Sequence, residues 1–265
     1  MTFPVFIKAG RKKISVAREV REVNRLRMAF EKSMTNGVYE AFKSTGELAA
    51  SNYEATGEIG DIQNVLSAKL EMVFRAHYEE VIDAFSQRVY DQRKFTPFID
   101  LVNRFYLREG AEKVTRISTY TRRLILSAIL LGERDGLGVS SIAALIFEKT
   151  AGAMGRSRAA TIARTETHAA ASWATDQASR ELGLPNQRKR WVTVQDGRSR
   201  QHHAAANGQE VGIDEPFIIR YEGQEIRMMH PHDGSGGAAN NVNCRCLAVY
   251  FSSVDDIFAD FENNL

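Results

Sequence analysis

The chain has two cysteines, five prolines, and no apolar run approaching the roughly 20 residues that a membrane span needs. Cys244 and Cys246 are one residue apart, so a disulfide between them is strained; the pair suggests reduced burial or a metal instead. The N-terminus puts its apolar residues before its basic ones and has no long apolar core, the wrong order for a secretory signal. Synthesis in the cytoplasm is therefore expected. Net charge is only +2, so no global field draws the chain to nucleic acid or an acidic membrane, and any electrostatic role must come from local patches. Also missing are a Gly-x-x-x-x-Gly-Lys-Ser/Thr loop, a Gly-x-Ser-x-Gly elbow and a His-Glu-x-x-His helix, which argues against familiar nucleotide and hydrolase chemistry.

What is present reads as a globular chain, with 43% apolar and 26% charged residues. Three of the prolines and a run of glycines (Gly223, Gly234, Gly236, Gly237) fall in the last third, while residues 1–182 read as helical. Val20, Val23, Leu26, Phe30, Met34, Val38 and Phe42 recur every three or four residues, which predicts one helix face. Ile62 to Phe85 and Val114 to Leu131 repeat that spacing. Asp61 stands where an N-cap belongs, and Gly132 where the third helix should stop. A short helix is expected over 140–149 with Ser140 as cap, and an alanine-rich one over 157–182, ended by Gly183 and Pro185.

Beyond residue 188 the periodicity changes. Trp191 to Val194, Phe217 to Tyr221, Ile226 to Met229 and Leu247 to Phe251 read as strands, with turn signals at Asp196-Gly197 and Glu222-Gly223. Residues 234–241 have the composition of a flexible loop. The expected fold class is α+β: a long helical N-terminal region over 1–155, then a small α+β domain of short antiparallel strands and long loops over 156–252. An acidic C-terminal tail follows over 253–265.

Four of the six histidines and both cysteines lie between 202 and 246, beside Arg198, Arg200 and Asp233. Zinc takes imidazole nitrogen and thiolate sulfur, usually four ligands in a tetrahedron. The Cys-x-Cys pair can supply two, with one histidine from each of two loops completing a structural zinc site. His202-His203 followed by Asn240, Asn241 and Asn243 also faintly echoes a metal-dependent His-Asn-His nuclease acting on DNA, though no histidine follows the asparagines. Basic clusters at Lys8 to Arg27, including Lys12 and Lys13, and at Arg188, Lys189 and Arg190 suit phosphate contact or a solvated face.

From about Ala159 to Phe251 the sequence resembles the phage head morphogenesis family, the Mu protein F-like minor head proteins. The resemblance rests on Arg164-Thr165-Glu166, then Trp191, Asp196, Arg200-Gln201-His202-His203, Gly208, Pro231-His232-Asp233 and the closing Asn243-Cys244-Arg245-Cys246. An Arg-x-x-His step makes His203 the counterpart of the family histidine, so the expected metal set is His203, His232, Cys244 and Cys246. The competing expectation is a polar network pairing Arg200, His203 and Asp233. The resemblance implies a non-enzymatic, low-copy virion component of the head interior or portal vertex. Its implied partners are the portal, and further the scaffold, the major capsid protein and packaged double-stranded DNA; its implied role is procapsid assembly, with DNA packaging or ejection in addition.

Overall fold

The computed structural model describes residues 16–89, 98–183, 186–194 and 197–252. Their elements run α1 Val16–Thr56, α2 Ile62–Val89, α3 Phe98–Phe105, a π-turn Tyr106–Gly110, α4 Ala111–Arg134, α5 Val139–Ala151, α6 Ala153–Glu181, β1 Gln187–Val192, α7 Gln201–Ala205, β2 Glu210–Gly212, β3 Phe217–Tyr221, β4 Gln224–Met228, a 3-10 turn Gly234–Gly236, α8 Gly237–Asn241 and β5 Leu247–Ser252. The fold is α+β, as the sequence indicates. The acidic tail 253–265 and residues 1–15 lie outside the described residues. The described residues form two compact units, one drawn from 16–29, 79–89, 98–101 and the described part of 164–252, the other of 30–78 and 102–163.

The second unit is helical. Ala49, Tyr53, Ile59, Ile62, Ile125, Ala128, Ile142 and Ile146 form its core, contributed mainly by α1, α2, α4 and α5. The apolar stripe read for α2 is its buried face, with Ile62, Leu66, Leu70 and Phe74 all almost fully enclosed. Asp61 caps α2 as expected, its Oδ1 accepting from the Asn64 amide at 3.4 Å. Two end signals are corrected. Gly132 does not stop α4; it lies inside the helix, where its bare surface lets Ile142 pack against it. The stop is Gly136, at φ 70°, with the Leu137 amide bonded to Gly132 and the Gly136 amide to Glu133. Helix α5 starts behind Gly138, not Ser140.

Gly46 is a second close approach, because a Cβ there would overlap Thr150 Oγ1, a hydroxyl already bonded to Ile146 O at 2.9 Å. Overpacking costs about 1–3 kcal/mol and the helix propensity of alanine returns at most about 1, so Gly46→Ala should be net destabilising in urea titrations. A more stable variant would mean that Thr150 gives way freely.

His77 is buried in the same unit, edge-on to Phe30 at 6.3 Å between ring centroids. Burial holds its pKa down at about 3. The unfolded chain takes up this proton near pH 6.5, whereas the folded chain resists it until about 3. Stability from neutral His77 is thus full above about pH 6.5 and falls on acidification by up to about 1.4 kcal/mol per pH unit. His77→Gln should flatten that slope between about pH 6 and 4; a slope identical to wild type would contradict the assignment.

In the first unit, β2, β1 and β5 form an antiparallel sheet in that order, and β3 and β4 a separate hairpin. Helix α6 explains its own composition. From Glu166 to Asp176 every residue is buried, so no polar face is needed and alanines at 169, 170, 171 and 174 allow close approach on all sides. Trp191, Phe217, Ile219 and Met228 form a small core with Ala206 and both cysteines. Strand β1 begins four residues before the expected run, and β2 carried no sequence signal. Residues 234–241, read as a flexible loop, are helical: Asp233 accepts from the Ser235 amide at 2.9 Å, and Asn241 Nδ2 donates to Asp233 O at 2.7 Å.

Candidate metal centre

Three local devices bring the centre together. Helix α7 carries His203 inwards, after Arg200 at its N-cap. The turn before β5 carries Cys244 and Cys246. Asn243 opens that turn at φ 58°, a left-handed conformation that asparagine tolerates. Arg164 Nη1 donates to Asn243 Oδ1 at 3.1 Å, and the Asn243 amide donates to Thr165 Oγ1 at 3.1 Å. The Arg-Thr-Glu helix segment thus fixes the turn of the Asn-Cys-Arg-Cys segment, two pieces 78 residues apart. Glu166 beside them is buried, and Arg245 is half-buried.

His203, Cys244 and Cys246 are all buried, and their ligand atoms lie within 4.8 Å of one another. His203 Nδ1 stands 3.5 Å from each sulfur. Its other nitrogen, Nε2, is 3.1 Å from Asn240 Oδ1, and Asn240 Nδ2 donates to Gly236 O at 2.8 Å. With the amide so oriented, Asn240 accepts from Nε2–H, which leaves the Nδ1 lone pair towards the sulfurs. The Cys246 amide donates to Cys244 Sγ at 3.4 Å. A separate side-chain hydrogen bond between the two cysteines holds the Cys244 thiol well below its ordinary pKa, against burial. That thiol-to-thiol bond, and burial, push Cys246 upwards.

His232 stands beside this group rather than in it. It is buried at φ 67° and lowers the Cys244 pKa by its charge and by a side-chain hydrogen bond. Sequence reasoning missed His168, whose ring lies 5.4 Å from that of His232. Burial first, then the Arg27 charge, holds His168 well below its ordinary pKa. Arg27, read as part of a basic face, is in fact enclosed, donating to Ser172 Oγ at 3.1 Å and Cys246 O at 3.4 Å. Nothing in its residue type signals this. Only its register with Val16, Glu19 and Val23, three or four residues apart on α1, puts it on the buried face.

The expected Arg200–His203–Asp233 network does not form. Arg200 donates to Val242 O at 2.6 Å, and Asp233 accepts from the Met229 and Ser235 amides at 2.8 and 2.9 Å. Burial would raise the Asp233 pKa, but His230 and those amides more than offset it and the net shift is downwards. Of the His202-His203 pair in the nuclease reading, His203 is 1% exposed and both its nitrogens face protein groups, while His202 is half-buried. His202 packs instead on Tyr221, 4.5 Å between centroids.

Among the basic residues, Lys189 is withdrawn as a DNA contact: it is 0% exposed and donates to Ile213 O and Met229 O at 2.9 and 2.7 Å. Arg188 and Arg190 reach Glu210 at 4.0 and 3.7 Å. Lys12, Lys13 and Asp196 lie outside the described residues. No helix among the described residues is long and apolar enough to cross a membrane.

Residues 124–249 match the family described as Phage Mu protein F like protein. That region holds Arg164, His203, Asp233 and both cysteines. The chain is 24% identical over 249 residues to Minor head protein GP7 of Bacillus phage SPP1, covering 83% of this chain and 76% of that protein. It is 33% identical over 129 residues to NAD(+)--arginine ADP-ribosyltransferase EFV of Enterococcus faecalis, covering 47% of this chain and 25% of that protein. The chain thus spans only a quarter of the length of this second relative. No solved structure matches the chain.

Proposed function

We propose that the chain is a minor head protein of a tailed bacteriophage, carried in the virion at the portal vertex or in the head interior, and that it acts in procapsid assembly with the portal protein. The observation that carries this reading is the likeness to the SPP1 minor head protein. It spans 83% of the chain, and so takes in helical residues that the family match at 124–249 leaves out. The site is in keeping with it. Its chemistry-bearing side chains are enclosed and bonded to one another, as suits a part that holds shape rather than one that turns over substrate. The ADP-ribosyltransferase likeness covers too little of that enzyme to carry its activity here.

In this reading residues 1–155 contact the portal or scaffold, 156–252 form the Mu F-like head morphogenesis domain, and 253–265 are an acidic tail. Contact with the major capsid protein and with packaged DNA, through Lys12, Lys13, Arg188 and Arg190, extends the reading to packaging or ejection. DNA affinity that falls steeply with salt supports that extension, and affinity indifferent to salt removes it. Portal docking is tested by mixing the full chain with assembled portal rings and sedimenting them. Co-sedimentation at a fixed ratio supports it; a chain that stays in the light fractions at micromolar portal contradicts it.

A further inference from the structure

We propose that the first unit is built around one zinc ion, held by His203 Nδ1, Cys244 Sγ and Cys246 Sγ, with His232 as the fourth ligand. Zinc ligands stand about 2.3 Å (sulfur) and about 2.0–2.1 Å (nitrogen) from the metal, so a sulfur and a nitrogen on one tetrahedron are about 3.5 Å apart. His203 Nδ1 lies 3.5 Å from both sulfurs. A single hydrogen bond would satisfy one such distance; two equal distances from one lone pair to two sulfurs place a centre between all three. Asn240 fixes the orientation of the ring through the opposite nitrogen, the arrangement by which metal-bound imidazoles are commonly held. The donor set of two sulfurs and imidazole suits zinc over calcium or magnesium, which take oxygen.

The fourth position is assigned from an independent observation. His232 is buried beside Cys244, to which its ring is joined by a side-chain hydrogen bond. A rotation of that ring onto the fourth position exchanges this bond for a ligand bond to the ion. The ion then joins three segments: α7, the turn after β4, and the turn before β5. A core of so few large side chains gains most from such a staple.

The test uses the full chain, purified under reducing conditions and without chelator. One zinc per chain by elemental analysis is expected. A strong chelator should remove it and lower the thermal midpoint by about 10 °C, restored by added zinc. Cobalt exchanged into the wild-type chain should show the visible bands of a tetrahedral site and a thiolate-to-metal band, which needs no variant to fold. His232→Ala should weaken zinc binding by about tenfold or more and alter the cobalt spectrum, while His202→Ala leaves both unchanged. Absence of zinc, with no response of the midpoint to zinc or chelator, overturns the site. Unchanged affinity and spectrum in His232→Ala overturn the fourth ligand.

Discussion

Replacing Lys189 by alanine is expected to destabilise the chain by about 3–5 kcal/mol, the usual cost of removing one partner from a buried charge pair. Lys189 Nζ donates to Ile213 O and Met229 O and lies 3.9 Å from Asp176 Oδ1. Asp176 is itself buried, taking Arg180 Nε at 2.7 Å and the Tyr250 hydroxyl at 3.0 Å. Truncation takes the Lys189 donor from Met229 O, leaves Ile213 O with Arg180 Nη2 alone, and opens a void beside Phe217. Burial lowers the Lys189 pKa to about 8, with Asp176 opposing. The folded chain therefore releases this proton before the unfolded chain does, and stability should rise as pH passes from about 8 towards 10.5. Lys189→Met should abolish that rise while keeping most of the volume. Urea unfolding of Lys189→Ala within about 1 kcal/mol of wild type would show that the ammonium is not enclosed as described.

A cost of about 3–5 kcal/mol is likewise expected for Trp191→Ala, a large-to-small change at a fully buried ring. Trp191 lies edge-on to Phe217 and His203, 5.4 and 5.5 Å between centroids. Its Nε1 donates to Thr193 Oγ1 at 3.1 Å, and that hydroxyl donates to His203 O at 2.9 Å. The ring thus supports both the small core and the residue that leads the metal cluster. Trp191→Phe should recover roughly half the loss, because it restores packing but not the donor to Thr193. Equal losses for the two variants would assign the whole effect to the hydrogen bond and contradict the packing account.

The helices were legible because burial on one face leaves a three-to-four-residue spacing, and Ile62, Leu66, Leu70 and Phe74 are the buried face that the spacing implies. The Asn243-Cys244-Arg245-Cys246 segment was legible as a unit, and the structure adds its physical reason: Arg164 and Thr165 hold the turn that presents both sulfurs. Polar burial was not legible. Arg27 and Lys189 look like solvated cations in sequence, and partners from distant segments, among them Ser172 Oγ and Cys246 O for Arg27 and Ile213 O, Met229 O and Asp176 for Lys189, make their burial tolerable. His168 gave no signal, since it sits in an alanine-rich helix whose neighbours arrive from elsewhere in the chain. The glycine-rich composition of 234–241 pointed to flexibility, yet side-chain bonds from Asp233, Asn240 and Asn241 fold it into helical turns.

The proposed role is tested most directly by quantitative mass spectrometry of particles and procapsids purified from cells carrying the gene for this chain, with the portal protein counted in the same sample. A minor head protein should be present at a few copies per particle, in a fixed ratio to the portal. Its absence from both procapsids and mature particles would contradict a place in the head.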